Sequence, residues 1–247
     1  MSDKATVKSK VWVEENITDD IQDNFTIAET AIPAIAEQFK IIIPGPELCL
    51  AYFGIVFDTI REYLEKNKEK SESVEISIAD HIRFQIDDGS SVADDMEEPG
   101  TFAFTLYHGG KPDTTLIKAG DIESNTIERC SKWFSTNVQA QTKALKEISA
   151  NAVVNLRDKI NLTIGDEVIV IPLFVSIYDR MISFMENALK VQMTVDPLDD
   201  KKSIRFVGRM DVTIMSDPDL IVLKPTVSDK LNTKNDGAKK QIDRDEE

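Results

Sequence analysis

Phe53-Gly-Ile-Val-Phe-Asp58-Thr-Ile-Arg-Glu-Tyr-Leu-Glu65 is answered 121 residues later by Phe174-Val-Ser-Ile-Tyr-Asp179-Arg-Met-Ile-Ser-Phe-Met-Glu186. Eight of the thirteen aligned positions are identical or keep size and polarity: Phe53/Phe174, Val56/Ile177, Phe57/Tyr178, Asp58/Asp179, Ile60/Met181, Tyr63/Phe184, Leu64/Met185 and Glu65/Glu186. The echo extends outward. Ile41-Ile42-Ile43-Pro44 is matched by Ile169-Val170-Ile171-Pro172, and Ile82-Arg83-Phe84 by Ile204-Arg205-Phe206. Similarity repeated in a fixed order points to duplication of one supersecondary unit. The upstream spacing differs, because Pro44 lies fourteen residues before Asp58 and Pro172 seven before Asp179. Seven residues make about two helical turns, so the added length leaves the apolar face pointing the same way.

Around the first copy, Thr18 or Asp20 caps a helix to about Lys40, with Phe25, Ala28, Ile32, Ile35 and Phe39 along one side. Pro33 is expected to kink or divide it, since proline removes a backbone donor and crowds the preceding turn. Pro44-Gly45-Pro46 forces a turn, and Pro46 suits the first position of a second helix to about Lys70. That helix is apolar nearly all round from Leu48 to Phe57 and charged from Arg61, so its first half is buried and its second solvated. Alternation predicts strands at Val74–Ile78, Ile82–Ile86 and Thr101–Tyr107. The turn His108-Gly109-Gly110-Lys111-Pro112 then leads into Thr114–Lys118. Asp87–Gly100 is expected to be an exposed, mobile acidic loop.

Around the second copy, Asp121 or Ser124 caps one long helix through Trp133, Phe134, Val138, Leu145 and Ile148 to about Leu156. Val168–Ile171 is a short strand or the lead-in to a helix over Leu173–Lys190, and strands follow within Ser203–Met215 and Leu220–Leu223. Helices followed by strands in each half imply an α+β fold, not the alternating βαβ of nucleotide-binding sheets. The expected organisation is a polar N-terminal arm (1–9), a first α+β half (10–120), a second (121–225) and a flexible polar tail (226–247). The two halves are read as duplicated helix-helix-antiparallel-strand units packed on a shared core.

The chain of 247 residues is 41% hydrophobic, with a formal net charge of −15. That charge opposes a broad grip on nucleic acid. Residues 226–247 carry five basic and six acidic side chains, so the charge sits on the folded halves. Their composition cannot bury enough surface to offset chain entropy, which predicts disorder in isolation. Cys49 and Cys130 stand alone in helix-like stretches and read as small buried apolar side chains, not a disulfide framework or zinc knuckle. The polar stretch Met1–Ser9 has no apolar run behind it, so no secretory signal is expected and synthesis is expected to be cytoplasmic. The glycosylation patterns at Asn16, Asn24 and Asn161 carry no weight without export.

Little reactive chemistry is legible. His81 and His108 are the only histidines, and neither cysteine is near one in sequence. Gly110-Lys111 lacks the earlier glycine of a phosphate loop, because Thr105 stands there and Pro112 blocks the following helix. Asp87–Glu98 has the length of a calcium loop, but Gly89 and Val92 occupy positions where a ligand and a glycine are needed. Loose divalent-ion binding by Asp87, Asp88, Asp94 and Asp95 remains an alternative to a solubilising loop. Asp58 and Asp179 occupy matching places. Packed about a pseudo-twofold axis they would approach and raise one pKa, whereas the simpler expectation turns each toward water. The apolar runs 41–57 and 168–185 contain proline and charge and fall short of the roughly 20 residues of a membrane span.

The sequence reading is therefore a non-enzymatic structural or assembly subunit that acts through protein–protein contacts, as in a large complex such as a phage virion. No catalytic, cofactor-binding or metal residue is assigned. Protein partners or self-assembly are expected, with no nucleic acid and no membrane span. The alternatives are a metal-dependent hydrolase using clustered aspartates, which requires those acids to converge, and a small-ligand-binding module, which requires an apolar pocket between the halves.

Overall fold

The computed structural model describes residues 3–68, 74–79, 82–86, 104–107, 126–138, 141–195, 201–215 and 221–225. The chain is α+β. Its helices are α1 (Asp3–Asn16), α2 (Ile21–Phe39), α3 (Pro46–Lys68), α4 (Thr126–Asn137), α5 (Thr142–Ile160) and α6 (Val170–Val195). Its strands are β1 (Val74–Ser77), β2 (Arg83–Ile86), β3 (Phe104–Tyr107), β4 (Lys201–Phe206), β5 (Met210–Met215) and β6 (Ile221–Pro225). Each long central helix, α3 or α6, is followed by a three-stranded antiparallel meander, β1-β2-β3 or β4-β5-β6. Strands β3 and β6 lie side by side, so the two sheets meet edge to edge.

Several helices depart from expectation for identifiable reasons. Helix α1 begins inside the stretch read as a polar arm and buries Ala5, Ser9, Trp12 and Val13. Those positions fall on one helical face, but only three of the four are apolar, which hides the periodicity. The Ser9 hydroxyl is satisfied by the Ala5 carbonyl at 2.8 Å. Pro33 sits inside α2 without dividing it. The single helix expected to reach Leu156 is two, α4 and α5, separated around Val138–Gln141. Gln141 adopts a left-handed φ of 56°. Its amide donates to the Glu75 carbonyl at 3.1 Å and accepts from the Ser77 N–H at 3.1 Å, so it pairs with the free edge of β1. Val168–Ile171 forms no strand. Glu167–Ile169 is a 3₁₀ turn that runs directly into α6, and Asp166 accepts the Val168 N–H at 2.9 Å. Pro172 is tolerated in the first turn of α6, where no N–H partner is needed.

Both halves contribute to one hydrophobic core running from Ala5 to Ile214. At its centre the matching phenylalanines of the helix echo meet, the Phe53 and Phe174 rings stacking at 4.7 Å with planes 8° apart. Phe53 also meets Phe206 edge-on at 4.9 Å, while Phe174 meets Phe84 at 6.3 Å. Each central phenylalanine thus touches an aromatic residue of the opposite half's sheet. The strand echo is not topologically equivalent, however. Phe84 lies on the second strand of its sheet and Phe206 ends the first strand of its own. The isoleucine-proline echo differs too, since Ile41–Pro44 precedes α3 whereas Val170–Pro172 lies within α6.

Candidate functional site

Among the described residues, a dense polar constellation lies where the β4–β5 hairpin docks against the first half. Val207 and Gly208 form the turn with φ of 59° and 62°, and the Arg209 N–H closes it on the Phe206 carbonyl at 3.3 Å. Phe206 pairs with Met210, so the loop has three residues, and its first two must hold the positive φ angles of a type I′ turn. Gly208 meets that demand freely, but Val207 is β-branched and strained there. Asn24, fully buried on α2, holds the strained residue. Its carbonyl oxygen accepts the Val207 N–H at 2.6 Å and its amide donates to the Arg205 carbonyl at 3.1 Å. Asp20 accepts the Arg205 N–H at 2.6 Å instead of capping its own helix, and Asp19 pairs with the Arg205 guanidinium at 2.8 Å.

Beyond the turn, Arg209 Nε donates to Asp58 on α3 at 2.9 Å, and Nη2 donates to Asn16 on α1 at 2.7 Å. Its guanidinium also sits 5.0 Å from the centre of the Trp12 ring, a cation–π distance. Asp58 receives a second, longer contact from Arg61 at 3.6 Å. A buried carboxylate with two cations and a guanidinium with three kinds of partner make a satisfied lock between α1, α3 and the second sheet.

Asp58 is therefore buried and ion-paired, not turned to water. Asp179 on α6 is half-buried, so the repeated aspartates occupy unlike environments. Among the described residues, no three histidine, cysteine or acidic side chains converge as a metal site. His81, His108, the Gly110-Lys111 turn and the acidic stretch 87–98 lie outside the described residues, as does the tail 226–247. Cys49 and Cys130 are buried free thiols, and burial pushes each thiol up to about 12. Both stay protonated at neutral pH, which removes the thiolate a nucleophile requires.

A second feature lies at the C-terminal end of α6. The helix runs past Lys190, where the sequence reading ended it, to Val195. Its last turns carry Phe184, Ala188, Val191 and Val195 at spacings of four, three and four residues. Together with Asn187, Gln192 and Lys202 they line an open groove of about 550 Å³. Val191 is 66% exposed and Val195 81%, so the stripe projects beyond the core. With the 3₁₀ turn before it, this helical run of 29 residues is long and apolar enough to cross a membrane by length and composition, and 67% of its apolar window is buried inside the protein. The apolar run visible in the sequence, 168–185, is shorter than a span because it leaves out the last ten residues of α6.

Sequence reasoning missed Asn16, Asn24 and Arg209 as members of the lock. The available signal was Val207-Gly208 between two apolar runs, a hairpin pattern. No protein-family model matches the chain, and comparison with curated proteins and with solved structures gave no match.

Proposed function

We propose that the chain is a non-catalytic structural or assembly subunit, part of a larger complex such as a phage particle, and that the C-terminal turns of α6 are its contact surface. The carrying observation is the apolar stripe Phe184, Ala188, Val191 and Val195, which leaves two valines largely in water. The 4-3-4 spacing is that of a helix seam, which buries apolar side chains against a partner helix or sheet. Asn187, Gln192 and Lys202 complete its lining with no acidic side chain, so a protein of net charge −15 presents no negative charge within this groove. The locked hairpin supports the same reading, since a contact surface benefits from a frame that does not rearrange.

Sedimentation velocity on protein taken from its native source tests this. The reading predicts a species larger than the 27.7 kDa chain. It further predicts that Val191→Glu with Val195→Glu returns the protein to its own mass with its helix content unchanged. Sedimentation of the wild type at the mass of a single chain contradicts it.

A further inference from the structure

We infer that the protein carries, between its two halves, a binding site for a compact uncharged hydrocarbon group about the size of a benzene ring. This goes beyond the contact role and does not depend on it. The site is a cavity of about 150 Å³ at the N-terminal ends of α3 and α6, far along the chain from the exposed α6 stripe. Ile43 and Leu48 from the first half close on Leu162, Ile164 and Leu173 from the second. The polar groups in its wall are few. The Tyr52 hydroxyl is already spent, donating to the Val170 carbonyl at 2.8 Å, and Thr163 lies at the exposed side.

Size and chemistry decide the occupant. A stably held water needs two to four polar partners, whereas this lining is mostly aliphatic side chains, and apolar cavities of about this volume take up benzene or xenon. A hydrocarbon gains the dispersion contacts that the lining otherwise lacks. A charged ligand loses its hydration with nothing in the wall to replace it. The hydrocarbon arrives either as a free small aromatic molecule or as the end of an alkyl chain entering from the exposed side of the lining, at Thr163 and Gly165. Gly165 makes the site testable, because a Cβ placed there has nothing within 4 Å. Its backbone is not in the left-handed region, so a side chain fits without strain.

The test is a titration of the full chain, labelled at isoleucine δ1 methyls, with benzene and separately with 1-octanol. The expected result is saturable displacement of the Ile41, Ile43, Ile164 and Ile169 methyl signals by at least one probe. Gly165→Leu, which adds a side chain on the exposed side of the lining, is expected to weaken that binding at least tenfold. Tighter binding of benzene identifies a compact ring as the ligand, and tighter binding of 1-octanol a chain end. Saturation by the preferred probe is also expected to raise the wild-type melting temperature, a readout independent of the variant. The inference is overturned if these four signals do not move saturably up to the solubility limit of either probe. It is equally overturned if folded Gly165→Leu binds as well as the wild type.

Discussion

Arg209 reaches from the β4–β5 hairpin to Asp58 on α3, Nε to Oδ2 at 2.9 Å, and so ties the second sheet to a helix of the first half. The pair is unequal in burial, with the Asp58 side chain 7% exposed and that of Arg209 23%. Removing one partner of a fully buried pair costs roughly 3–5 kcal/mol, because the other is left unpaired. Asp58→Ala leaves Arg209 with Asn16, Trp12 and some water, so urea denaturation is expected to show a loss of about 2–3 kcal/mol. Arg209→Met keeps the packing on Trp12 and leaves Asp58 with Arg61, so its loss is expected to be smaller. Equal losses in the two variants, or none, run against this description of the lock.

Two glycines let the hairpin and α1 approach α3. A Cβ on Gly208 runs into the Asn16 carbonyl oxygen, a backbone atom, on a residue whose φ is already +62°. A Cβ on Gly54 runs into the Trp12 ring and meets the Val207 side chain at 2.8 Å. Gly208→Ala and Gly54→Ala are each expected to destabilise by roughly 1–3 kcal/mol, as overpacking does. Gly165→Ala, with open space around it, is expected to be neutral or stabilising. Thermal melts of the three variants decide whether the close approaches are real.

Tyr52 and Tyr178 are both buried, but among the described residues only one has a partner. Tyr52 donates to the Val170 carbonyl, whereas the Tyr178 hydroxyl has none there. Tyr52→Phe is expected to cost about 1 kcal/mol, the net value of one hydrogen bond. Tyr178→Phe removes an unsatisfied group and is expected to be neutral or stabilising. A destabilised Tyr178→Phe means that its hydroxyl has a partner in solution.

Cys49 gives a pH dependence whose sign is fixed. Burial raises its thiol from 9.0 to about 12, so between those values the folded chain keeps a proton that the unfolded chain releases. The stabilisation is complete below pH 9 and falls as pH rises toward 12, with a slope approaching about 1.4 kcal/mol per pH unit. Urea titrations at alkaline pH are expected to show a shallower decline for Cys49→Ala than for wild type. Parallel declines contradict the burial of this thiol.

The parts of the fold legible in the sequence are those set by local pattern. Pro46 begins α3, alternation finds β1 and β2, and the continuous apolar run marks the buried half of α3. What escaped was set by tertiary partners. Gln141 ends one helix and starts another because its amide serves the edge of β1, and an isolated glutamine favours neither outcome. Asn24 and Arg209 look like surface residues until the hairpin that carries Arg209 docks against Asn24 and Asp58. Val207 violates its own backbone preference, and only the Asn24 clamp and its burial explain why it is held there. The α6 stripe was within reach of sequence reading, since its spacing is regular, but polar Lys190 and Gln192 obscured the continuation.

The shared interior of α3 and α6 is tested most directly by a double-mutant cycle on Phe53→Ala and Phe174→Ala, read by chemical denaturation of the full chain. Rings stacked at 4.7 Å predict one cooperative transition and a coupling of about 0.5–1.5 kcal/mol between the two sites. Strict additivity, or two separate transitions for the two halves, contradicts a common core.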